Sequence, residues 1–186
     1  MANPEHKEAL DRLDKVSVCM YRLGISVFSL ALLSYVFVLL DKAMLFSLPN
    51  QFEYYTLLAV GVSTALSAAN VHVYSKWVRA AITYTGWLGL VLLLSDIDMV
   101  RVWLSLGFVF VTFSGIALKE SFCFKVVGLK IVPVLLAISV PLIMLELWLA
   151  CAALLGVSGF ILGYLSIVKW RMPLHFDIGI KARYEI

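Results

Sequence analysis

From Leu23 to Leu40 the chain runs without a charged side chain, and stretches of this kind recur as far as residue 168. Backbone placed in hydrocarbon must satisfy its own N–H and C=O groups, which an α-helix does within one segment. About 20 mostly apolar residues, within a range of about 17–25, carry such a helix across a bilayer. Six runs qualify, at roughly 23–40, 54–73, 78–95, 101–118, 126–145 and 147–168. Composition removes the soluble alternative. The chain is 62% hydrophobic and 15% charged, with a mean hydropathy of +0.97. Soluble domains are nearer about 45–50% and 25%. The expectation is an all-α fold: a polytopic membrane protein built as one six-helix transmembrane bundle.

The fifth and sixth runs are separated by almost nothing. Read as one helix they would extend about 60 Å at 1.5 Å per residue, roughly twice the hydrocarbon thickness of about 30 Å. The chain must therefore break, and Glu146, the lone charge there, marks the place.

The charged minority sets a direction. Cytoplasmic loops carry excess Lys and Arg. With the N-terminus inside, thirteen of the fifteen basic residues fall on the inner side, and only Lys42 and Arg101 fall outside. Six spans with N-in and C-in termini follow, and an odd number would misplace one basic terminus. Trp77 and Trp170 mark inner ends and Trp103 and Trp148 outer ends, leaving Trp87 in mid-span. The expected location is the inner (plasma) membrane of a bacterium.

The domain plan is 1–22, 23–168 and 169–186: a cytoplasmic amphipathic helix, the transmembrane domain and a cytoplasmic tail. Residues 1–22 mix both charge signs, unlike the basic start of a secretory signal, so the first apolar run is a retained helix. Residues 3–18 are expected to be helical, with Asn3 as N-cap, Pro4 in the first turn, and Glu5 and Glu8 favouring the positive end of the dipole. Pro173 ends the sixth helix. Beyond it Phe176, Ile178 and Ile180 alternate with Asp177, Gly179 and Lys181, a two-residue period that predicts an extended segment on the cytoplasmic face.

Chemistry is scarce. Cys19, Cys123 and Cys151 are widely spaced and odd in number, so no disulfide framework is expected. A net charge of +3 excludes a nucleic-acid partner. No nucleophile elbow, zinc-protease motif or phosphate-cradling loop is present, and no acid–base pair lies deep in a span. Neither metal nor cofactor is expected, because His72 and His175 lack the tight spacing of a ligand pair. Asp96 and Asp98 read as a loop, with Asp98 as N-cap of the fourth helix. Small residues at Ala59, Ser63 and Ser67, and the G-x-x-x-G of Gly159 and Gly163, are helix-packing signals.

The richest segment is Lys119-Glu120-Ser121-Phe122-Cys123-Phe124-Lys125, at the inner end of the fourth helix. Charges at a membrane boundary bind head groups, gate pores or relay protons. The candidate functional cluster is Lys119, Glu120, Cys123 and Lys125, with Asn70 and His72 at the inner end of the second helix and His175 and Asp177 in the tail.

Lys119-Glu120-Ser121-Phe122-Cys123-Phe124, the layout of the fourth and fifth runs with Pro133, and Asp177-Ile178-Gly179-Ile180-Lys181 resemble a bacterial family of integral membrane proteins described as a domain of unknown function. The resemblance extends from about Tyr21 to the C-terminal end. Ile180 stands where the family pattern has a second acid. The resemblance implies a fold class and a membrane address, and no reaction.

The leading functional expectation is a non-enzymatic structural or accessory subunit of a membrane complex. Its partners would be the lipid bilayer and a membrane protein or second copy of the chain. The alternatives are a small-solute or ion channel or transporter beside Ser63, Ser67, Asn70 and the fifth helix, and a membrane enzyme or redox protein using Glu120, Cys123, His72 or His175.

Overall fold

A computed structural model describes residues 9–49 and 51–185. Among these residues the chain is helical, with no strand. Helix α1 spans Arg12–Lys42, α2 Gln51–Ala69, α3 Lys76–Ser95, α4 Val102–Cys123, α5 Val132–Met144 and α6 Trp148–Trp170. A short α7, His175–Ile178, and a single 3-10 turn, Lys181–Arg183, complete the tail.

Each long helix packs on the next in sequence, and α6 returns to α1, closing a ring. The ring is filled by side chains. Phe28 of α1 stacks on Phe113 of α4 with ring centroids 3.4 Å apart, and Phe110 meets the same ring edge-on at 6.4 Å. Outward faces carry exposed Leu30, Phe37, Val91, Leu94, Val111 and Phe160. Soluble monomers rarely expose apolar patches above a few hundred Å², so this exterior suits lipid.

The small residues work as packing surfaces. A Cβ at Gly24 would lie 2.3 Å from Ser67 Oγ and 3.0 Å from the Ser63 carbonyl oxygen, so α1 and α2 approach backbone to backbone. Gly159 faces Leu32 and Leu33, and Gly163 faces Ser29, which brings α6 equally close to α1.

Four helices, α1, α3, α4 and α6, are long and apolar enough to cross a membrane. The second and fifth runs fall short of that standard. The 19-residue α2 is diluted by Gln51, Glu53 and its hydroxyl and small residues. The fifth run forms only 13 helical residues, because 124–131 is a turn region that places Lys130 outside α5 and exposed. Pro133 sits in the first turn of α5, where it has no N–H to lose, and Pro141 lies inside the helix.

Other expectations meet the structure at single residues. The proposed caps Asn3, Pro4, Glu5 and Glu8 lie outside the described residues. The described helix starts at Arg12, capped by Asp11, whose carboxylate accepts from the Asp14 N–H at 2.7 Å. From there α1 runs 31 residues through position 22 without a break. The α5–α6 break falls at Glu146, in the left-handed region at φ 57°. Asp98 does not cap α4, whose N-cap position is Arg101 with no side-chain cap; Asp96 instead orders the loop before it, accepting from the N–H groups of Val100 and Arg101 at 3.1 and 2.6 Å. The tail lies against the helix ends that carry Arg22, Glu120 and Lys169, but it is helical over His175–Ile178 where an extended strand was expected. Gly179, at φ 67°, ends that turn, and a Cβ there would collide with the Tyr74 hydroxyl. Tyr74 reaches in to accept the Ile180 N–H at 2.8 Å. Three-dimensional docking, rather than side-chain alternation, sets the local conformation.

Candidate functional site

Four buried charges meet where α1, α4, α6 and α7 converge. Arg22 of α1 donates from Nε and Nη2 to Asp177 Oδ2, at 2.8 and 2.5 Å. Its Nη1 and Nη2 also donate to the carbonyls of Met172 and Pro173 at 2.8 and 3.0 Å. Arg22 thereby ties down the chain leaving α6, where helix carbonyls lack intrahelical partners. Lys169, in the last turn of α6, pairs with Asp177 Oδ1 and with Glu120 Oε2, the latter at 2.9 Å. Tyr21 donates its hydroxyl to Glu120 Oε1 at 2.7 Å. Lys119 reaches the same oxygen at 3.0 Å.

Burial is nearly complete: Arg22 is 2% exposed and Glu120 and Lys169 1% each. Burying an unpaired charge costs several kcal/mol, and attraction offsets this only when remaining donors and acceptors are also satisfied. Here both oxygens of each carboxylate accept a hydrogen bond or ion pair. The Lys169 ammonium also lies 5.1 Å from the Tyr21 ring centroid and 5.0 Å from that of Phe124, faces that attract a cation. The expectation concerned acid–base pairs deep in a span, and this network lies just beyond the ends of the runs 23–40, 101–118 and 147–168. Arg22, Glu120 and Lys169 lie within α1, α4 and α6, and a side chain that would otherwise reach for water is turned inward by partners from other helices.

Beside the network lies a largely apolar cavity of about 460 Å³. Its lining includes His72, Tyr74, Lys119, Glu120, Cys123, Asp177 and Tyr184. Small-ligand sites occupy about 300–1,000 Å³. The tail forms one wall and is stitched to the α2–α3 loop, with the Glu185 N–H donating to the Tyr74 carbonyl at 3.0 Å and the Ile180 N–H to the Tyr74 hydroxyl at 2.8 Å. His72, in that loop, contacts Ser17 Oγ through Nε2 at 3.2 Å. Burial, reinforced by the Lys119 charge, pushes its imidazole down to about 4, so it is neutral near pH 7.

Of the eight sequence candidates, the fold gathers five: His72, Lys119, Glu120, Cys123 and Asp177. Lys125 lines a smaller adjoining groove of about 220 Å³. His175 stacks on Phe176 with centroids 4.7 Å apart. Asn70 turns back to donate to the Leu66 carbonyl at 2.9 Å, closing the last turn of α2. A second cavity, also about 460 Å³, opens between the start of α2 and the end of α3; its lining is apolar but for Tyr54 and Asp96.

Comparison with known sequences decides the kinship. A family described as "Uncharacterized integral membrane protein (DUF2301)" matches residues 66–186. The chain belongs to the DUF2301 family. A Haemophilus influenzae protein described as "Uncharacterized protein" is 33% identical over 186 residues, covering all of both chains. No solved structure matches the chain. The bacterial membrane family expected from the Lys119–Phe124 and Asp177–Lys181 segments is thereby shown, and this is an integral membrane protein.

The DUF2301 match takes in Glu120, Lys169 and Asp177 and leaves Tyr21 and Arg22 upstream of it. Those two and Lys169 are the site residues that sequence reasoning missed. Arg22 and Lys169 border apolar runs, where a basic residue ordinarily snorkels to the interface. One signal was available: each has apolar neighbours on both sides, Tyr21 and Leu23 for Arg22 and Val168 and Trp170 for Lys169.

Proposed function

We propose that this DUF2301 protein is a non-enzymatic accessory protein of the bacterial inner membrane that acts by binding at its cytoplasmic face. It spans the membrane six times with both termini in the cytoplasm. The observation that carries this reading is the saturation of the buried network. General acid–base catalysis needs a group within reach of substrate and able to exchange a proton with it. Glu120 and Asp177 instead spend every carboxylate oxygen on Lys119, Lys169, Arg22 and Tyr21. The network holds the tail in place, and the tail walls the cavity.

Two further features support it. The stacked Phe28 and Phe113 rings fill the middle of the bundle, which speaks against a water path between the helices. The small residues Ser63 and Thr64, a candidate pathway lining, bond the Val60 carbonyl of their own helix at 2.7 Å. For the topology, α2 and α5 stand in the ring between longer helices and pack against both neighbours. The network lies on the side that holds thirteen of the fifteen basic residues, the cytoplasmic side by the positive-inside rule.

Cysteine labelling tests the orientation. Exposed Cys123 should react with a membrane-impermeant maleimide in inside-out vesicles and not in right-side-out ones. Cysteines introduced at Ser47 and Asp98 should behave oppositely. Native-membrane purification with mass spectrometry tests the binding role. A stoichiometric bound protein or small molecule, lost in Asp177→Asn, is expected. Solute flux above lipid background in liposomes, or a reversed labelling pattern, overturns the reading.

A further inference from the structure

The hydrogen-bond ledger at the inner face is unbalanced. Three cations, Arg22, Lys119 and Lys169, meet two carboxylates, Glu120 and Asp177. Both carboxylates are already saturated. Lys119 carries the surplus. An ammonium has three donors, and Lys119 has a short contact to only one acceptor, Glu120 Oε1 at 3.0 Å. Its second acceptor, the Tyr21 hydroxyl oxygen, is a long 3.5 Å away, so the Lys119 donors are incompletely satisfied among the described residues.

A lysine at a membrane boundary ordinarily extends its head into water. The Lys119 side chain is only 16% exposed. Its ammonium sits 4.7 Å from the Tyr21 ring centroid, and the residue lines the apolar cavity. A surplus positive charge in such surroundings is complemented by an oxyanion. The cavity's remaining wall sets what that oxyanion is attached to. Val78, Leu118 and Phe122 line it and are themselves 46%, 44% and 70% exposed. They make the cavity rim continuous with the apolar exterior of α3 and α4.

We infer that this cavity binds a single-chain amphiphile carrying one negative charge, drawn from the inner leaflet. The carboxylate or phosphate oxygen takes the remaining donors of Lys119, and the acyl chain lies along Val78, Leu118 and Phe122. A volume of about 460 Å³ falls in the small-ligand range of about 300–1,000 Å³. The inference rests on the cytoplasmic-face reading above and names the ligand class for the same site.

The test uses the purified full chain in nanodiscs of zwitterionic lipid. Binding of palmitate, of lysophosphatidylglycerol and of acetate is measured by native mass spectrometry and titration calorimetry. The expected result is one saturable equivalent of palmitate or lysophosphatidylglycerol, whichever head group binds tighter identifying the source, with acetate at least tenfold weaker. Lys119→Gln should weaken binding at least tenfold and Lys119→Arg should retain it. Lys125→Gln, the same charge change on the adjoining groove, should leave it unchanged. Thermal unfolding of each variant confirms folding, because Glu120 keeps Lys169 and Tyr21 as partners when Lys119 is replaced. Equal weakening by Lys119→Gln and Lys125→Gln, acetate binding as tightly as palmitate, or no saturable binding overturns the inference. Cys123 labelling of the same protein in sealed inside-out and right-side-out vesicles separates the two readings. An inward-facing Cys123 without amphiphile binding removes this inference alone, whereas an outward-facing Cys123 removes the reading beneath it.

Discussion

Arg22 and Asp177 stand 155 positions apart in the chain and meet through two hydrogen bonds, at 2.8 and 2.5 Å, with both side chains almost fully buried. The pair joins the start of the bundle to its tail. Because Lys169 shares the same carboxylate and Glu120 shares Lys169, the short helix α7 is held to α1, α4 and α6 through one connected set of charges.

Removing Asp177 should therefore cost more than a surface ion pair. Asp177→Ala leaves Arg22 buried with only the Met172 and Pro173 carbonyls, and Lys169 with Glu120 as its one carboxylate. Loss of one partner of a buried pair typically costs about 3–5 kcal/mol. Detergent-solubilised protein should unfold at lower temperature, and the chain beyond Pro173 should become sensitive to protease in inside-out vesicles. Replacing the pair together, as Arg22→Met with Asp177→Leu, should recover a large part of the loss, because the uncompensated charge is then gone. No recovery in the double variant would show that the Met172 and Pro173 carbonyl contacts of Arg22 dominate.

Gly24→Ala sets two effects against each other. Alanine gains about 1 kcal/mol over glycine in a helix interior. The new Cβ would lie 2.3 Å from Ser67 Oγ and 3.0 Å from two backbone atoms of α2. Overpacking costs about 1–3 kcal/mol, and backbone atoms cannot rotate away, so net destabilisation is expected on thermal unfolding. Adding Ser67→Ala should restore only part of the stability, because the backbone contacts remain.

Acidification should loosen the α2–α3 loop through His72. Its folded pKa of about 4 lies below the ordinary value of 6.5, chiefly because of burial. The unfolded loop therefore binds a proton that the folded loop refuses. The stabilisation is complete above about pH 6.5 and declines as pH falls towards 4. NMR of labelled imidazole should show His72 neutral at pH 5. Hydrogen exchange in the α2–α3 loop should accelerate between those limits, and His72→Gln should flatten that dependence.

The α5–α6 turn holds Glu146 at φ 57°. A β-branched side chain is poorly tolerated there, and the left-handed conformation costs an L-residue about 1–2 kcal/mol. Glu146→Val should lower the unfolding temperature, and Glu146→Gly should leave it unchanged or raise it. The reverse order would mean that the glutamate side chain itself secures the turn.

The amino-acid sequence by itself determined where the helices run and where they stop. Uncharged runs too long for any soluble core require helices, and 13 of 15 basic residues on one side give those helices a proposed direction. Glu146 marked the α5–α6 break because a helix through it would overrun the bilayer. Lys119, Glu120 and Cys123 were legible as a cluster because they are neighbours on one helix end. Only the tertiary structure decided that Arg22 and Lys169 face inward and that Asn70 and Lys125 stay outside the cavity. A basic residue beside an apolar run is compatible with water or with a carboxylate. Which one it meets depends on groups brought from elsewhere in the chain, and for Arg22 that group is Asp177, 155 residues away.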